Sequence, residues 1–393
     1  MRGSFLVALQ PDSLNYGKTR RGFRMKSKVL TFIMAASIAM TAVGQVAPIK
    51  IGLIGAMSGT NAVLGDWMKK GVTLAIEQQN AAGGINGAKI QLIVYDDAAN
   101  PTVSVGLAQK VATEDKVMAV WATTNSSSAL ADIPVFTQYK IPQLTNGTFD
   151  AITTQGSSYI FRVCPAGPAY EDPLVDYLVK KGNTKFAIIG DTSAYGQGEI
   201  AYQTAALTRN HLSPLDTEQY GIDDKDFTGQ LTKIFRAQPD VLLLASSEVA
   251  GGLVARQARQ LGFTGTIAGG SAMGTPKFIE TAGADVAEGV YFTSPYPGNQ
   301  ANAKTRAFAA AYKARWGEDP EVHGANTYDG MKMLILAMER AKPLTPENVA
   351  AEMHKIKGYQ GLQGTFDYDA RGEGIKATNL GIIKNGQLTY LEK

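Results

Sequence analysis

The sequence predicts an α/β protein built as two doubly wound lobes, and three observations carry that prediction. Short apolar runs alternate with amphipathic stretches of helical period, the spacing of a mostly parallel sheet covered on both faces. The alternation pauses near residues 159–163 and resumes near 186, with no repeat, low-complexity stretch or flexible linker between the halves. The chain also has 393 residues, 45% of them hydrophobic and 19% charged, enough for more than one sizeable core.

Taken in order, residues 49–54 read as a strand that runs into a glycine-rich loop. Residues 64–80 read as a helix whose apolar face holds Trp67, Val72, Leu74, Ala75 and Ile76. The segment Ala81-Ala82-Gly83-Gly84-Ile85-Asn86-Gly87 ends it with residues that accept positive φ. Strand 90–95, helix 102–114, strand 117–121, helix 127–139 and strand 142–145 continue the pattern. After strand 159–163 the second round comprises strand 186–189, helix 196–210, strand 215–220, helix 227–236 and the buried strand 241–244. Helix 248–261 and strands 266–268 and 290–293 follow, then helices 303–315, 325–341 and 346–356. Segments 379–384 and 387–392 read as a hairpin about Asn385-Gly386.

The N-terminus reads as an address. Residues 29–43 form an apolar run of 15 after Arg20, Arg21, Arg24, Lys26 and Lys28, and Ala42-Val43-Gly44 supplies small residues behind it. That run is short for a membrane span, which needs about 20 residues, and fits a cleavable secretory signal over 1–44. Met25 is a natural start within it. Thr19-Arg20-Arg21-Gly22-Phe23 also has twin-arginine character, although Arg24 stands where an apolar residue is usual. Without 1–44 the chain carries 31 Lys+Arg against 34 Asp+Glu, so its basic balance belongs to the signal and no nucleic-acid surface is expected. The single Cys164 excludes a disulfide framework and reads as a buried small residue.

Chemistry is sparse. The loop Gly55-Ala56-Met57-Ser58-Gly59-Thr60 lacks both nucleotide-binding fingerprints. Asn125-Ser126-Ser127-Ser128 opens a helix after a strand, where hydroxyls cap the helix or its free N–H groups take a carboxylate. Thr145-Asn146-Gly147-Thr148 ends the next strand on the same edge. Asp96-Asp97 reads as a loop anchor, because no further carboxylates stand at metal-ligand spacing. His211, His323 and His354 have no Gly-x-Ser-x-Gly elbow to serve, and His323 reads first as a surface or core residue and second as one that approaches a cleft. No cofactor, no metal and no enzymatic activity are expected.

The mature chain resembles the leucine/isoleucine/valine-binding type of periplasmic solute-binding protein that serves ABC importers. The resemblance rests on Ile49-Lys50-Ile51-Gly52, Ala56-Met57-Ser58-Gly59, Ala82-Gly83-Gly84-Ile85-Asn86-Gly87, Tyr95-Asp96-Asp97-Ala98 and Ser126-Ser127-Ser128. It continues through Tyr195-Gly196-Gln197-Gly198, Asp226-Phe227, Arg256-Gln257-Ala258 and Ala287-Glu288-Gly289, in order along the whole mature chain.

That resemblance implies a type I periplasmic binding protein fold, two lobes joined by three hinge crossings that shut on a ligand. The crossings are expected near 162–167, 293–297 and 361–366, with one lobe at 45–163 and 296–361 and the other at 164–295 and 362–393. Ser126 and Thr148 are expected to hold the ligand carboxylate, with main-chain groups at Asn146. Tyr195 should reach in from the second lobe, and Leu64 and Trp67 should bring apolar bulk. The acidic residue that takes an amino-acid ammonium in such receptors falls on Ser271 here, and an aromatic neighbour falls on Ser247. The first crossing reads Gly167-Pro168-Ala169 where an aspartate is frequent. Unless Glu171, Asp172 or Glu248 substitutes, the expected ligand is a carboxylate without an amine, a 2-oxo or aromatic acid, in place of a branched-chain amino acid. The expected protein is a periplasmic monomer that hands a small carboxylate or amino acid to an inner-membrane ABC permease. The alternative is a sensor of the same fold that feeds a signalling system.

Overall fold

The computed structural model describes residues 46–391; the signal and twin-arginine readings concern residues outside them. The first lobe opens with β1 (Ile49–Gly55), α1 (Ala62–Ala81), β2 (Ile90–Asp96) and α2 (Pro101–Lys110), followed by β3 (Ala119–Ala122), α3 (Ser126–Gln138), β4 (Gln143–Thr145) and β5 (Ile160–Arg162). These strands form one parallel sheet in the order β2-β1-β3-β4-β5. The second lobe holds α4 (Pro168–Lys180), β6 (Phe186–Asp191), α5 (Ala194–Arg209), β7 (Thr217–Tyr220), α6 (Thr228–Arg236), β8 (Val241–Ala245), α7 (Glu248–Gln260), β9 (Thr266–Gly269) and α8 (Pro276–Ala282). With β10 (Tyr291–Ser294) the chain leaves that lobe, and α9 (Ala303–Trp316), α10 (Val322–Arg340) and α11 (Pro346–His354) pack on the first. A two-stranded ribbon, β11 (Tyr359–Gln360) and β12 (Thr365–Phe366), precedes the hairpin β13 (Asn379–Lys384) and β14 (Gln387–Tyr390), which adds antiparallel strands to the second sheet. That sheet runs β14-β13-β10-β9-β8-β6-β7.

Period-two alternation along the strands fills a core on each sheet face. Ile51, Leu53, Ala119 and Trp121 face the core beneath α1 and α10, while Ile54, Val120 and Ala122 face the one beneath α2 and α3. In the second sheet Ala187, Ile189, Leu242 and Leu244 pack on one side, and Phe186, Ile188, Val241 and Leu243 on the other.

Two readings of the sequence need correction. Helix α4 stands where the sequence reading assigns no element, in a stretch that carries Pro168 and Pro173. Pro168 occupies the first helical turn, where its missing N–H costs nothing. Pro173 cannot donate to the carbonyl of Ala169, and the Thr378 hydroxyl donates to that oxygen instead at 2.7 Å. The third passage between lobes also lies later than 361–366. Phe366, Tyr368 and Ile375 belong to the first core, and the Asp329 carboxylate of α10 accepts from the Leu362 and Gln363 amides. The chain therefore returns to the second lobe only between Ile375 and Asn379, so residues 362–375 lie with the first lobe.

Candidate functional site

In both sheets the strand order reverses beside the first strand, between β1 and β3 and between β6 and β8. Open α/β sheets bind ligands at strand carboxyl ends beside such a reversal, because adjacent loops there run in opposite directions and leave a crevice. The two crevices face each other across one cavity of about 680 Å³, within the range of small-molecule sites. The loops after β1 to β4 line it from the first lobe, those after β6 to β9 from the second, and the first turns of α10 add to the wall.

Of the residues singled out in the sequence, Leu64, Ser126, Asn146, Thr148, Tyr195, Ser247 and Ser271 all line this cavity. Trp67 does not. It lies behind His323, their rings stacked 5.8 Å apart and 10° from parallel. His323, for which the cleft is the second reading of the sequence, lines the cavity with Asn326, both on α10. Of the three substitute carboxylates only Glu248 reaches the cavity. Asp172 pairs with Arg209 on the exterior, and Glu171 is enclosed in the second lobe.

The first-lobe wall is rich in buried polar groups awaiting a partner. Asn125 caps α3 by accepting from the Ser128 amide at 3.0 Å, which releases Ser126 from capping. The Ser126 hydroxyl and both side-chain atoms of Asn146 are buried without a hydrogen-bond partner among the described residues. Unpaired buried polar groups are costly, and a ligand oxygen at the positive end of α3 would satisfy them. Thr148 differs from the expectation. Its hydroxyl donates to Glu199 Oε1 at 3.1 Å, so toward the cavity it offers lone pairs rather than a proton. Glu199 and its neighbour Glu171 are both fully enclosed, and burial together with their mutual repulsion pushes the Glu199 carboxyl far above its ordinary value. The Asp96 and Asp97 carboxylates anchor the adjoining loop by accepting from the Met57, Ala98 and Ala99 amides.

The opposite wall is anionic. Glu248 is 4% exposed at the start of α7, and its nearest cation is His323 Nε2 at 3.6 Å. Burial raises the Glu248 carboxyl above its ordinary value, with His323 opposing that shift. His323 Nδ1 lies 2.8 Å from Glu321 Oε2. Burial alone would lower the imidazole pKa, but Glu321 and then Glu248 push it up to about 9. The imidazolium is thus already paired within its own lobe, which leaves Glu248 the less compensated charge. Asp191, also buried on the wall, accepts from the Ser193 amide and hydroxyl. Hydrogen bonds span the cleft on its flanks, from the Ala194 amide to Ser127 Oγ and from the Asp150 amide to the Tyr202 hydroxyl.

The family model described as periplasmic binding protein matches residues 48–387. The Leu/Ile/Val-binding protein BraC3 of Rhizobium johnstonii is 30% identical over 320 residues, covering 81% of this chain and 86% of that protein. The leucine-binding protein LivK of Thermotoga maritima superposes with a TM-score of 0.81 at 27% identity, covering 88% of this chain and 98% of that one. The branched-chain amino acid transporter substrate-binding protein LivJ of Streptococcus pneumoniae, in complex with isoleucine, does so with a TM-score of 0.81 at 26% identity, covering 88% and 100%. With its two facing α/β lobes, its interlobe cavity and a family match along nearly all of the described residues, this chain belongs to the periplasmic binding protein family and has the type I fold.

Proposed function

We propose that this protein is an extracytoplasmic, non-enzymatic receptor that traps an amino acid between its lobes and delivers it to the permease of an ABC importer. One observation carries the ligand class: a single cavity holds, at a helix N-terminus, the Ser126 and Asn146 side chains, which have no partner among the described residues, and the buried Glu248 carboxylate from the other lobe. Those are subsites of opposite polarity, suited to a zwitterion. The ligand carboxylate binds Ser126, Asn146 and the α3 N-terminus. Its ammonium binds Glu248, with the Thr148 oxygen as a second acceptor, while Leu64 and Tyr195 cover its carbon skeleton. Ser271 and Ser247 leave the ammonium role unfilled, but Glu248 supplies the charge, so the amine-free 2-oxo or aromatic acid becomes the weaker reading. The likeness to the isoleucine-bound receptor supports this choice.

Calorimetric titration of wild type and Glu248→Gln with leucine, its 2-oxo analogue and benzoate tests the reading. Leucine should bind the wild type, the two amine-free acids should not, and Glu248→Gln should weaken leucine binding by ~1.5–3 kcal/mol. Binding of either amine-free acid in place of leucine would overturn the ammonium assignment.

A further inference from the structure

In the loop that carries Asn146 and Thr148, every carbonyl from Thr145 to Phe149 is held from behind by the end of β5 or by the first interlobe passage that follows it. Thr145 O accepts from the Val163 amide at 3.0 Å, Asn146 O from Cys164 Sγ at 3.1 Å, and Thr148 O from the Gly167 amide at 3.0 Å. The remaining two belong to one side chain: Arg162 Nη1 donates to Gly147 O at 2.6 Å and Nη2 to Phe149 O at 3.0 Å. Arg162 is fully buried at the end of β5, one residue before that passage begins.

The same guanidinium reaches the first-lobe segment that leads into the third passage. Its Nε donates to Glu373 Oε1 at 3.0 Å, and its backbone amide donates to Gly372 O at 2.9 Å. Gly372 has φ +82, and a Cβ there would fall 1.9 Å from Ile160 O, so the segment lies tightly along β5. Thr153 closes the ring by bonding both Nη2 and the Glu373 carboxylate. A planar, always-charged fork with several donors can hold two carbonyls, a hydroxyl and a carboxylate at once, which an ammonium cannot reproduce.

We propose that Arg162 is a positioning residue that fixes the ligand-facing loop 146–148 to the two first-lobe segments that lead into the first and third hinge passages, so that ligand placement and the roots of the hinge are set together. The inference rests on the proposed ligand role of Asn146. It predicts that loosening the guanidinium harms binding through the loop and not through general loss of stability.

The test is a double-mutant cycle of Arg162→Lys with Asn146→Ala, read by leucine calorimetry, with amide exchange of residues 145–150 measured without ligand. Arg162→Lys should speed exchange in that segment. It should also weaken leucine binding about tenfold in the wild-type background but less than about twofold when Asn146 is already alanine. Equal losses in both backgrounds, or a lowered melting temperature with unchanged affinity and exchange, would overturn the proposal. If Arg162→Lys does not fold, Glu373→Gln replaces it in the cycle, with the same direction expected. Failure of the wild type to bind any amino acid would overturn the ligand reading alone, because the exchange measurement reports on the loop tie without ligand.

Discussion

Ser126 lines the cavity with a buried hydroxyl that has no partner among the described residues, while the Asn125 side chain caps the helix. Ser126→Ala therefore removes a ligand contact without uncapping α3. Leucine binding should weaken by ~1.5–3 kcal/mol, the range for hydrogen bonds to a charged group, with the unfolding midpoint unchanged. Equal affinity for the two proteins in calorimetry would remove the carboxylate assignment. His323 makes a second residue-level prediction. Its folded pKa of about 9 lies above its ordinary 6.5, so its charge stabilises the folded state fully below about pH 6.5 and is lost as pH rises through about 9. Facing it are Glu321 on its own element, Glu248 across the cleft and the Trp67 ring. Urea unfolding at pH 6.5 and 9.5 should show a loss of stability in the wild type that His323→Gln does not share. Parallel losses in both proteins would assign the pH effect to other groups.

At the scale of elements, α1 and α10 approach at a glycine contact. A Cβ on Gly71 would lie 2.2 Å from Thr327 Oγ1 and 2.3 Å from Gly324 O, so neither helix can accommodate it without separating. Gly71→Ala should cost ~1–3 kcal/mol despite its helix propensity, because overpacking outweighs propensity. A Cβ on Gly106 in α2 would meet no atom of a neighbouring element within 4 Å among the described residues, and Gly106→Ala should stabilise by ~0.5–1 kcal/mol. Denaturant titration of both variants checks the contrast, and a shift of the same sign in the two would refute the close-contact account. Helix α4 illustrates how a distant element rescues a local fault. The carbonyl that Pro173 leaves free is taken by Thr378, on the last passage between lobes.

For the whole molecule, the cavity walls belong to different lobes, so a ligand gains contacts to both only when they are together. Closure then follows from differential affinity for the shut form. Small-angle scattering should show a smaller radius of gyration on adding saturating leucine. An unchanged profile together with measured binding would mean that the described arrangement is already the resting one. Ligand at about 100 times its Kd should also add ~2.7 kcal/mol to unfolding stability, seen as a concentration-dependent melting temperature.

What the sequence determined by itself was local and periodic. Alternation of apolar residues specified the strands, helical spacing specified α1, α5 and α10 to within a few residues, and Asn385-Gly386 specified the last hairpin. Loops after strands put Ser126, Asn146 and Thr148 on one edge, because parallel strands bring their carboxyl ends together, and the family resemblance added Leu64, Tyr195, Ser247 and Ser271, which line the same cavity. The tertiary structure alone decided what meets across the cleft. His323 and Glu248 are far apart in sequence, Arg162 meets Glu373 through the return of the chain beside β5, and Thr378 reaches back to Ala169. No periodicity encodes such pairs. They arise where the chain returns to an element it left long before, or where the passages bring the two lobes together, and that placement decides which charges face each other and where the chain finally changes lobe.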